Sequence, residues 1–209
     1  MKLILASNNE HKAEEIRSVI GQNAMIEIIT LKEAGIDIEI PEPFETLEEN
    51  ASNKSKTIYE LTKTSLGPGG CFSEDTGLEV DDLGGEPGVR SARYAGEEKS
   101  FDKNIAKLLY NLYGHTNRNA RFRTVISLII EGRETLFDGI CRGTIVHERR
   151  GDGGFGYDSI FVPEGAIHTF AEMNMEEKNR FSHRRKALDK LVAYLLKDRF
   201  YQVEQNQKN

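Results

Sequence analysis

Apolar residues recur along the chain with two different spacings, and these spacings predict both helices and strands. Repeats of three and four residues predict helices over about residues 9–20, 46–64, 100–113 and 182–197. Alternating or continuous apolar runs predict strands over residues 2–6, 25–30, 36–40, 71–73, 78–80, 120–130, 135–147 and 158–162. Glycines separate several segments: Gly21 ends the first helix, and the run at 67–70 ends the second.

The order of these elements predicts the class of fold. Helices and strands alternate in the first part of the chain, whereas long strands follow one another in the middle. This order favours an α/β fold with an elongated mixed sheet, flanking helices and two lobes around a central cleft. We predict a single domain over residues 1–200 and a polar, frayed tail over residues 201–209.

Composition narrows the class of protein. Hydrophobic residues make up 38% and charged residues 30% of the 209 positions, which is usual for a globular protein in water. The formal net charge of −6 argues against a nucleic-acid partner, which requires a basic surface. No run approaches the ~20 apolar residues of a membrane span, so we predict no membrane partner.

Cysteine usage predicts the compartment. The two cysteines, Cys71 and Cys141, lie in predicted strands and lack the spacing of a metal site. We interpret them as reduced thiols in the core. Since the N-terminus also lacks the pattern of a secretion signal, we predict a cytoplasmic protein.

A polar turn between the first strand and the first helix is the first candidate for binding chemistry. Its residues are Ser7, Asn8, Asn9, Glu10, His11 and Lys12. The first N–H groups of a helix lack partners and carry the positive end of its dipole, so they bind anions such as phosphate. The alternative is that Asn8 or Asn9 only caps the helix and that Lys12 is solvated. A Gly-x-x-x-x-Gly-Lys-Ser/Thr run is absent, which excludes a P-loop enzyme.

Acidic residues at two places are candidates for binding a divalent cation. Glu74 and Asp75 fall between two apolar runs, and this pattern predicts a polar turn at the end of a strand. Mg²⁺ binds through a few carboxylates and phosphates, and a neighbouring carboxylate can activate a water. The alternative is a solvated turn. Glu49 follows Thr46 by three residues, as in a capping box, but a helix start can also face a cleft.

The second half of the chain carries candidates for binding a planar base. Segment 151–158 is dense in glycine, which lets a backbone approach a ligand closely, and Phe155 could stack on a base. His183 and Arg184 at the start of the last helix, with Lys178 before it, bring donors together. Donors match a 6-keto purine, which presents an acceptor where adenine presents an amino group. The alternatives are a hairpin with core aromatics and a solvated helix start.

With these segments in order, the chain resembles the inosine triphosphate pyrophosphatase family, also called XTP/dITP diphosphatases, from Leu5 to about Leu195. The motifs are far more specific together than singly. They are Ser-x-Asn-x-x-Lys at 7–12, Thr-Leu-Glu-Glu-Asn-Ala at 46–51 with Lys54 after it, Glu-Asp-Thr-Gly at 74–77, Leu-Gly-Gly-x-Pro-Gly-Val-x-Ser-Ala-Arg at 83–93, Gly-Gly-Phe-Gly-Tyr-Asp at 153–158, Thr-Phe-Ala-Glu-Met at 169–173, Glu-Glu-Lys at 176–178 and Ser-His-Arg at 182–184.

The resemblance implies a homodimeric, Mg²⁺-dependent enzyme that hydrolyses ITP, dITP and XTP to the monophosphate and pyrophosphate. It implies Asp75 as the general base, and Glu49, Glu74 and Asp75 as metal ligands. The residues implied for substrate binding are Ser7, Asn8, Asn9, Glu10, His11, Lys12, Lys54, Thr76, Phe155, Gly156, Tyr157, Asp158, Lys178, His183 and Arg184. Segment 41–45 departs from the family pattern, so Glu42 is not assigned as a ligand.

Two other functions are weighed against this one. The first is a pyrophosphatase that prefers modified pyrimidine or canonical triphosphates, and only the resemblance argues against it. The second is a nucleotide-sensing or RNA-binding module, which would not require the carboxylates Glu49, Glu74 and Asp75. The Glu-rich helix signature of a Nudix hydrolase is absent from the chain.

Overall fold

The computed structural model describes residues 1–20, 26–64 and 69–206, with side chains as far as Lys197. Within these residues the strands form one seven-stranded sheet. The strands are β1 (Lys2–Leu5), β2 (Glu27–Thr30), β3 (Gly70–Val80), β4 (Pro87–Gly88), β5 (Asn119–Ile130), β6 (Arg133–Ile145) and β7 (Phe161–Pro163). Their spatial order is β2-β1-β3-β5-β6-β7, and β4 pairs with the end of β3.

The sheet is mixed, which confirms the predicted class of fold. β1 is parallel to both β2 and β3, whereas β3, β5, β6 and β7 pair in antiparallel fashion. Helices pack around the sheet, as predicted. They are α1 (Glu10–Ile20), α2 (Leu47–Thr62), α3 (Phe101–Asn111), α4 (Met175–Phe181) and α5 (His183–Asn206). None of the described helices is long and apolar enough to cross a membrane.

Two large hydrophobic clusters share the long strands, and they form the cores of the two lobes. The first cluster joins β1, α1 and α5 to residues such as Phe72 of β3 and Ile126 of β5. The second joins α3 and β7 to Leu78 of β3 and Phe122 of β5. Each lobe therefore rests on a different end of the same strands, and Asp75 and Thr76, which lie between the two clusters on β3, line the cleft.

The predicted turn at Glu74 and Asp75 is wrong, because β3 runs without interruption from Gly70 to Val80. Both residues pair in register with β5, Glu74 opposite Ile126 and Asp75 opposite Val125. The polar side chains misled the sequence interpretation. They are tolerated in the middle of a buried strand because cationic side chains from distant helices neutralise them.

The predicted strand over residues 36–40 is also wrong, because this segment has no regular structure. Its alternating isoleucines do pack against the core, which explains the pattern. Its backbone is held by a side chain and a turn: Asn8 donates to the carbonyl of Ile38, and the N–H of Ile36 donates to the carbonyl of Leu31. The alternation of apolar and polar residues therefore arises from a half-buried segment that does not pair with the sheet.

The predicted bounds of two elements near the end of the chain change. Residues 158–160 form a short 3₁₀ turn before β7, although a strand over 158–162 was predicted. The last helix continues to Asn206, well beyond residue 197, so the predicted tail is helical over residues 201–206. Gly21, Met25, Gly67, Pro68 and residues 207–209, to which predictions also applied, lie outside the described part of the chain.

Candidate active site

A cavity of about 290 Å³ opens between the lobes and gathers residues from distant parts of the chain. Most of the predicted site residues contribute to its wall. These are Ser7, Asn8, Asn9, Lys12, Lys54, Asp75, Thr76, Phe155, Gly156, Tyr157, Asp158, Lys178, His183 and Arg184. Glu10, His11, Glu49 and Glu74 do not line it.

The polar turn after β1 forms one end of the cavity. Asn9 caps α1, because its Oδ1 accepts from the backbone N–H of Lys12 at 3.1 Å, and the Ser7 hydroxyl accepts from the N–H of Asn9 at 3.2 Å. The capping interpretation is therefore correct for Asn9, yet the turn also lines the cavity. Lys12 is not simply solvated: its Nζ lies 3.0 Å from Glu74 Oε1. This end combines a helix N-terminus with an ammonium group, which suits an anion.

Glu74 and Asp75 have different surroundings, because successive side chains of a strand point to opposite faces. Asp75 lines the cavity and faces α2, where its Oδ1 accepts from Lys54 Nζ at 2.9 Å. Glu74 faces α5 and accepts two hydrogen bonds from Arg184, at 2.7 and 2.9 Å. Only one of the two adjacent carboxylates is thus exposed to a ligand in the cavity.

Burial raises the pKa of Asp75 above its usual range, although the ammonium groups of Lys54 and Lys12 act in the opposite direction. Glu42 adds to the rise, because its carboxylate meets the same Lys54 ammonium at 2.5 Å. A carboxylate whose pKa is raised is a better proton acceptor. Asp75 therefore has the position and the electrostatic environment of a general base.

A fully buried ion network backs the cavity wall. Burial alone would raise the pKa of Glu74, but Arg184 and Lys12 hold it well below its usual range. Burial alone would also lower the pKa of Arg184, and Glu74 together with Glu15 raises it. Glu74 is thus ionised, and Arg184 and Lys12 neutralise its carboxylate.

Glu15 of α1 extends this network toward the glycine-rich segment. It forms an ion pair with Arg184 and a second one with Lys178 Nζ at 2.6 Å. Lys178 in turn donates to Asp158 Oδ2 at 2.6 Å, and Asp158 accepts from the backbone N–H of Phe155 at 2.9 Å. Glu15 was not predicted as a site residue, although its carboxylate holds two predicted substrate-binding residues, Lys178 and Arg184, in place.

The glycine-rich segment 151–158 carries Phe155 to the cavity wall between two glycines with positive φ, Gly154 at 69° and Gly156 at 62°. A side chain at Gly154 would collide with the Asp158 carboxylate, which lies 2.2 Å from the position of a Cβ. Tyr157, by contrast, is buried and donates to the carbonyl of Ser91 at 2.9 Å. The segment thus presents one aromatic ring and buries the other.

His183 is buried against the cavity in a neutral state. Its ring stacks on Phe122 with centroids 4.7 Å apart, and Nδ1 has no hydrogen-bond partner among the described residues. Burial lowers the pKa of His183 well below its usual range, and the cations Arg184 and Lys178 lower it further. A buried polar atom without a partner at a cavity wall is a place where a ligand can bind.

The buried histidine makes a testable contribution to the pH dependence of stability. The folded state keeps His183 neutral where the unfolded chain binds a proton, so stability is complete above about pH 6.5 and falls below it. We expect His183→Phe to reduce this loss by up to about 1.4 kcal/mol per pH unit. Urea unfolding of both proteins at pH 7.5 and 5.5 measures the difference. Equal losses in the two proteins would contradict a neutral buried imidazole.

Of the three predicted magnesium ligands, Glu49, Glu74 and Asp75, the cavity wall contains Asp75. Asp75 and Glu42 converge on one ammonium, that of Lys54, and two carboxylates with substrate phosphates are a usual Mg²⁺ ligand set. Glu49 is exposed and bonds to the hydroxyl of Thr46 at the start of α2. In the described part of the chain no group of three or more metal-ligating side chains is preassembled. The roles of Glu49 and Glu74 as ligands stay predictions.

Comparison with known proteins assigns this fold and cavity to a family. The model of the Ham1 family matches residues 3–194, and the chain therefore belongs to the Ham1 family. Relatives called dITP/XTP pyrophosphatase include those of Flavobacterium johnsoniae, 46% identical over 93% of this chain and 98% of its own, and of Porphyromonas gingivalis, 46% identical over 93% and 97%. The protein is an enzyme of the hydrolase class.

A solved structure supports the same assignment. The Staphylococcus aureus Ham1 protein is 36% identical, with a TM-score of 0.82 over 95% of this chain and all of that one. The mixed sheet and the cleft are thus those of a known fold.

Proposed function

We propose that the chain hydrolyses non-canonical purine triphosphates, namely ITP, dITP and XTP, to the monophosphate and pyrophosphate in the presence of Mg²⁺. The observation that carries the proposal is a single cavity with a buried carboxylate, Asp75, between a phosphate-suited turn and a neutral histidine beside an aromatic ring. The names of the relatives, dITP/XTP pyrophosphatase, support the substrate class.

At the phosphate end, the turn 7–9 and Lys12 hold the β- and γ-phosphates. Asp75 accepts a proton from the water that attacks the α-phosphorus, and pyrophosphate leaves toward Lys12. Mg²⁺, when bound, supplies charge neutralisation for the phosphates near Asp75 and Glu42. Most of the rate enhancement then comes from positioning and charge stabilisation.

At the base end, Phe155 provides a stacking surface, and His183 provides a ring nitrogen that has no partner within the described ranges. A site built around such polar atoms rejects a base that leaves them unpaired, because an unsatisfied buried polar group costs about 1–3 kcal/mol. Lys178 and Arg184 are held by Glu15, so their charges stay at fixed positions along this wall. These features support a preference for a 6-keto purine over adenine.

Pyrophosphate release from ITP, XTP, ATP and GTP tests the proposal directly. We expect fast release from ITP and XTP with Mg²⁺, little release from ATP, and none with EDTA. Guanine also carries a 6-keto group, so the expectation of little release from GTP rests on the names of the relatives, dITP/XTP pyrophosphatase. Equal rates for all four nucleotides would keep the chemistry but remove the base preference. Absence of release from every nucleotide would refute the proposed reaction.

We also propose a cytoplasmic homodimer. Both cysteines are buried free thiols, which fits a reducing compartment, and burial raises the pKa of each to about 12. The dimer rests on the resemblance alone, and light scattering of the purified protein measures it.

A further inference from the structure

His11 stands apart from the other residues of the turn after β1. Its ring does not line the cavity; it stacks on Phe155, with centroids 5.3 Å apart and planes inclined by only 15°. Phe155 itself lines the cavity. His11 therefore lies behind Phe155 as seen from a ligand, although its place in the sequence is among residues expected to bind phosphate.

The backbone of Phe155 is tied to Asp158, because its N–H donates to Asp158 Oδ2 at 2.9 Å and its carbonyl accepts from the Asp158 N–H at 3.2 Å. The orientation of the ring is set by the side chains around it. The cations of Lys178 and Arg184 lie 5.4 and 5.7 Å from its centroid. Phe101, at the start of α3, is tilted against it with centroids 6.2 Å apart.

His11 is held in place by helix α1. It is the second residue of α1, whose first turn is fixed by the Asn9 cap and by the ion pair between Lys12 and Glu74. One turn further along, Glu15 anchors the same helix to Arg184 and Lys178. The imidazole is thus held at a fixed place against the Phe155 ring.

We propose that His11 is a positioning residue for the purine base: it holds the Phe155 ring in the orientation on which the base stacks. The inference rests on the proposed function, because it requires a base on Phe155. His11 is thus assigned to the base end of the site, although its place in the sequence predicted a role at the phosphate end. A ring held in place before binding loses less freedom when the base arrives, so His11 affects affinity rather than the chemical step.

The test compares His11→Ala and His11→Phe with wild type and with His147→Ala, which removes an exposed imidazole that does not line the cavity. For His11→Ala we expect KM for ITP to rise about three- to tenfold, the range for one aromatic pair, with kcat unchanged. His11→Phe keeps a ring and should restore KM. Because His11 is exposed, melting temperatures should agree among all four proteins.

Inorganic tripolyphosphate separates the two ends of the site, since it carries phosphates and no base. Its inhibition constant should be the same for wild type and His11→Ala. A parallel rise in this constant and in KM would show that His11 acts on phosphate and would overturn the proposal. An unchanged KM, or a His11→Phe variant as weak as His11→Ala, would overturn it as well.

Calorimetry with inosine monophosphate keeps the inference separate from the proposed reaction. This ligand requires no turnover, and its Kd should rise about three- to tenfold in His11→Ala. If wild type binds inosine monophosphate but releases no pyrophosphate, the reaction fails while the role of His11 is still decided by this Kd. If wild type binds no purine nucleotide, both proposals fall together.

Discussion

Replacement of Asp75 by asparagine is expected to lower turnover of ITP by about 10²- to 10⁴-fold, the usual contribution of a general base. The side chain keeps its shape but can no longer accept the proton from water. The fold should survive, because Lys54 retains its second partner, the carboxylate of Glu42, at 2.5 Å. A loss of turnover in a folded protein is thus the expected result.

Steady-state rates of pyrophosphate release, together with melting curves, measure this effect. Asp81→Asn is the matched control, since Asp81 is exposed just beyond the end of the same strand. It should retain wild-type turnover. If Asp75→Asn retained turnover within about threefold of wild type, the proton acceptor would have to be another group.

The second large effect is on stability. Arg184→Met should lower the free energy of unfolding by about 3–5 kcal/mol, the cost of removing one partner from a buried ion pair, although Glu74 keeps Lys12 and Glu15 keeps Lys178. Glu74 would lose two hydrogen bonds and Glu15 one ion pair, while both stay buried. Neither carboxylate can reach water without disturbing the packing around it, so the loss is large.

Urea unfolding at pH 7.5 measures this loss, with Arg185→Met as the neighbouring control. Arg185 pairs with Asp189 on the surface of α5, and such a pair contributes about 0–1 kcal/mol. A loss below about 1 kcal/mol for Arg184→Met would mean that the network relaxes or admits water. Both variants remove one positive charge, so a difference between them reports burial rather than net charge.

How far the sequence predicts the structure depends on the range of the interactions. Helices and long strands follow from local periodicity, and Thr46 caps its helix as the capping-box pattern indicates. Glu74 and Asp75 were misplaced in a turn because acidic residues are unfavourable in a core strand unless cations reach them. The cation that neutralises Glu74 most directly, Arg184, is 110 positions away.

The same limit explains the residues of the site that were missed. Glu15 lies next to the apolar stripe of α1, but its partners Lys178 and Arg184 follow it by 163 and 169 positions. No local pattern distinguishes it from its exposed neighbour Glu14. Glu42 was set aside because its segment departs from the family pattern, whereas the structure brings it to Lys54 beside Asp75. Its role as a ligand is untested.

The shared strands also decide how the cleft can change its width. β3 and β5 pair without a break from Gly70 opposite Ile130 to Val80 opposite Ala120. This long pair of strands therefore forms a rigid support beneath both lobes. Bending this pair of strands would disturb its ladder of hydrogen bonds, and we expect closure to come from segments 36–45 and 151–157 at the rim. Asp75 lies near the middle of this pair of strands. The proposed proton acceptor is thus carried by the strands that we expect to deform least, whereas the rim that would admit and release a nucleotide consists of loops.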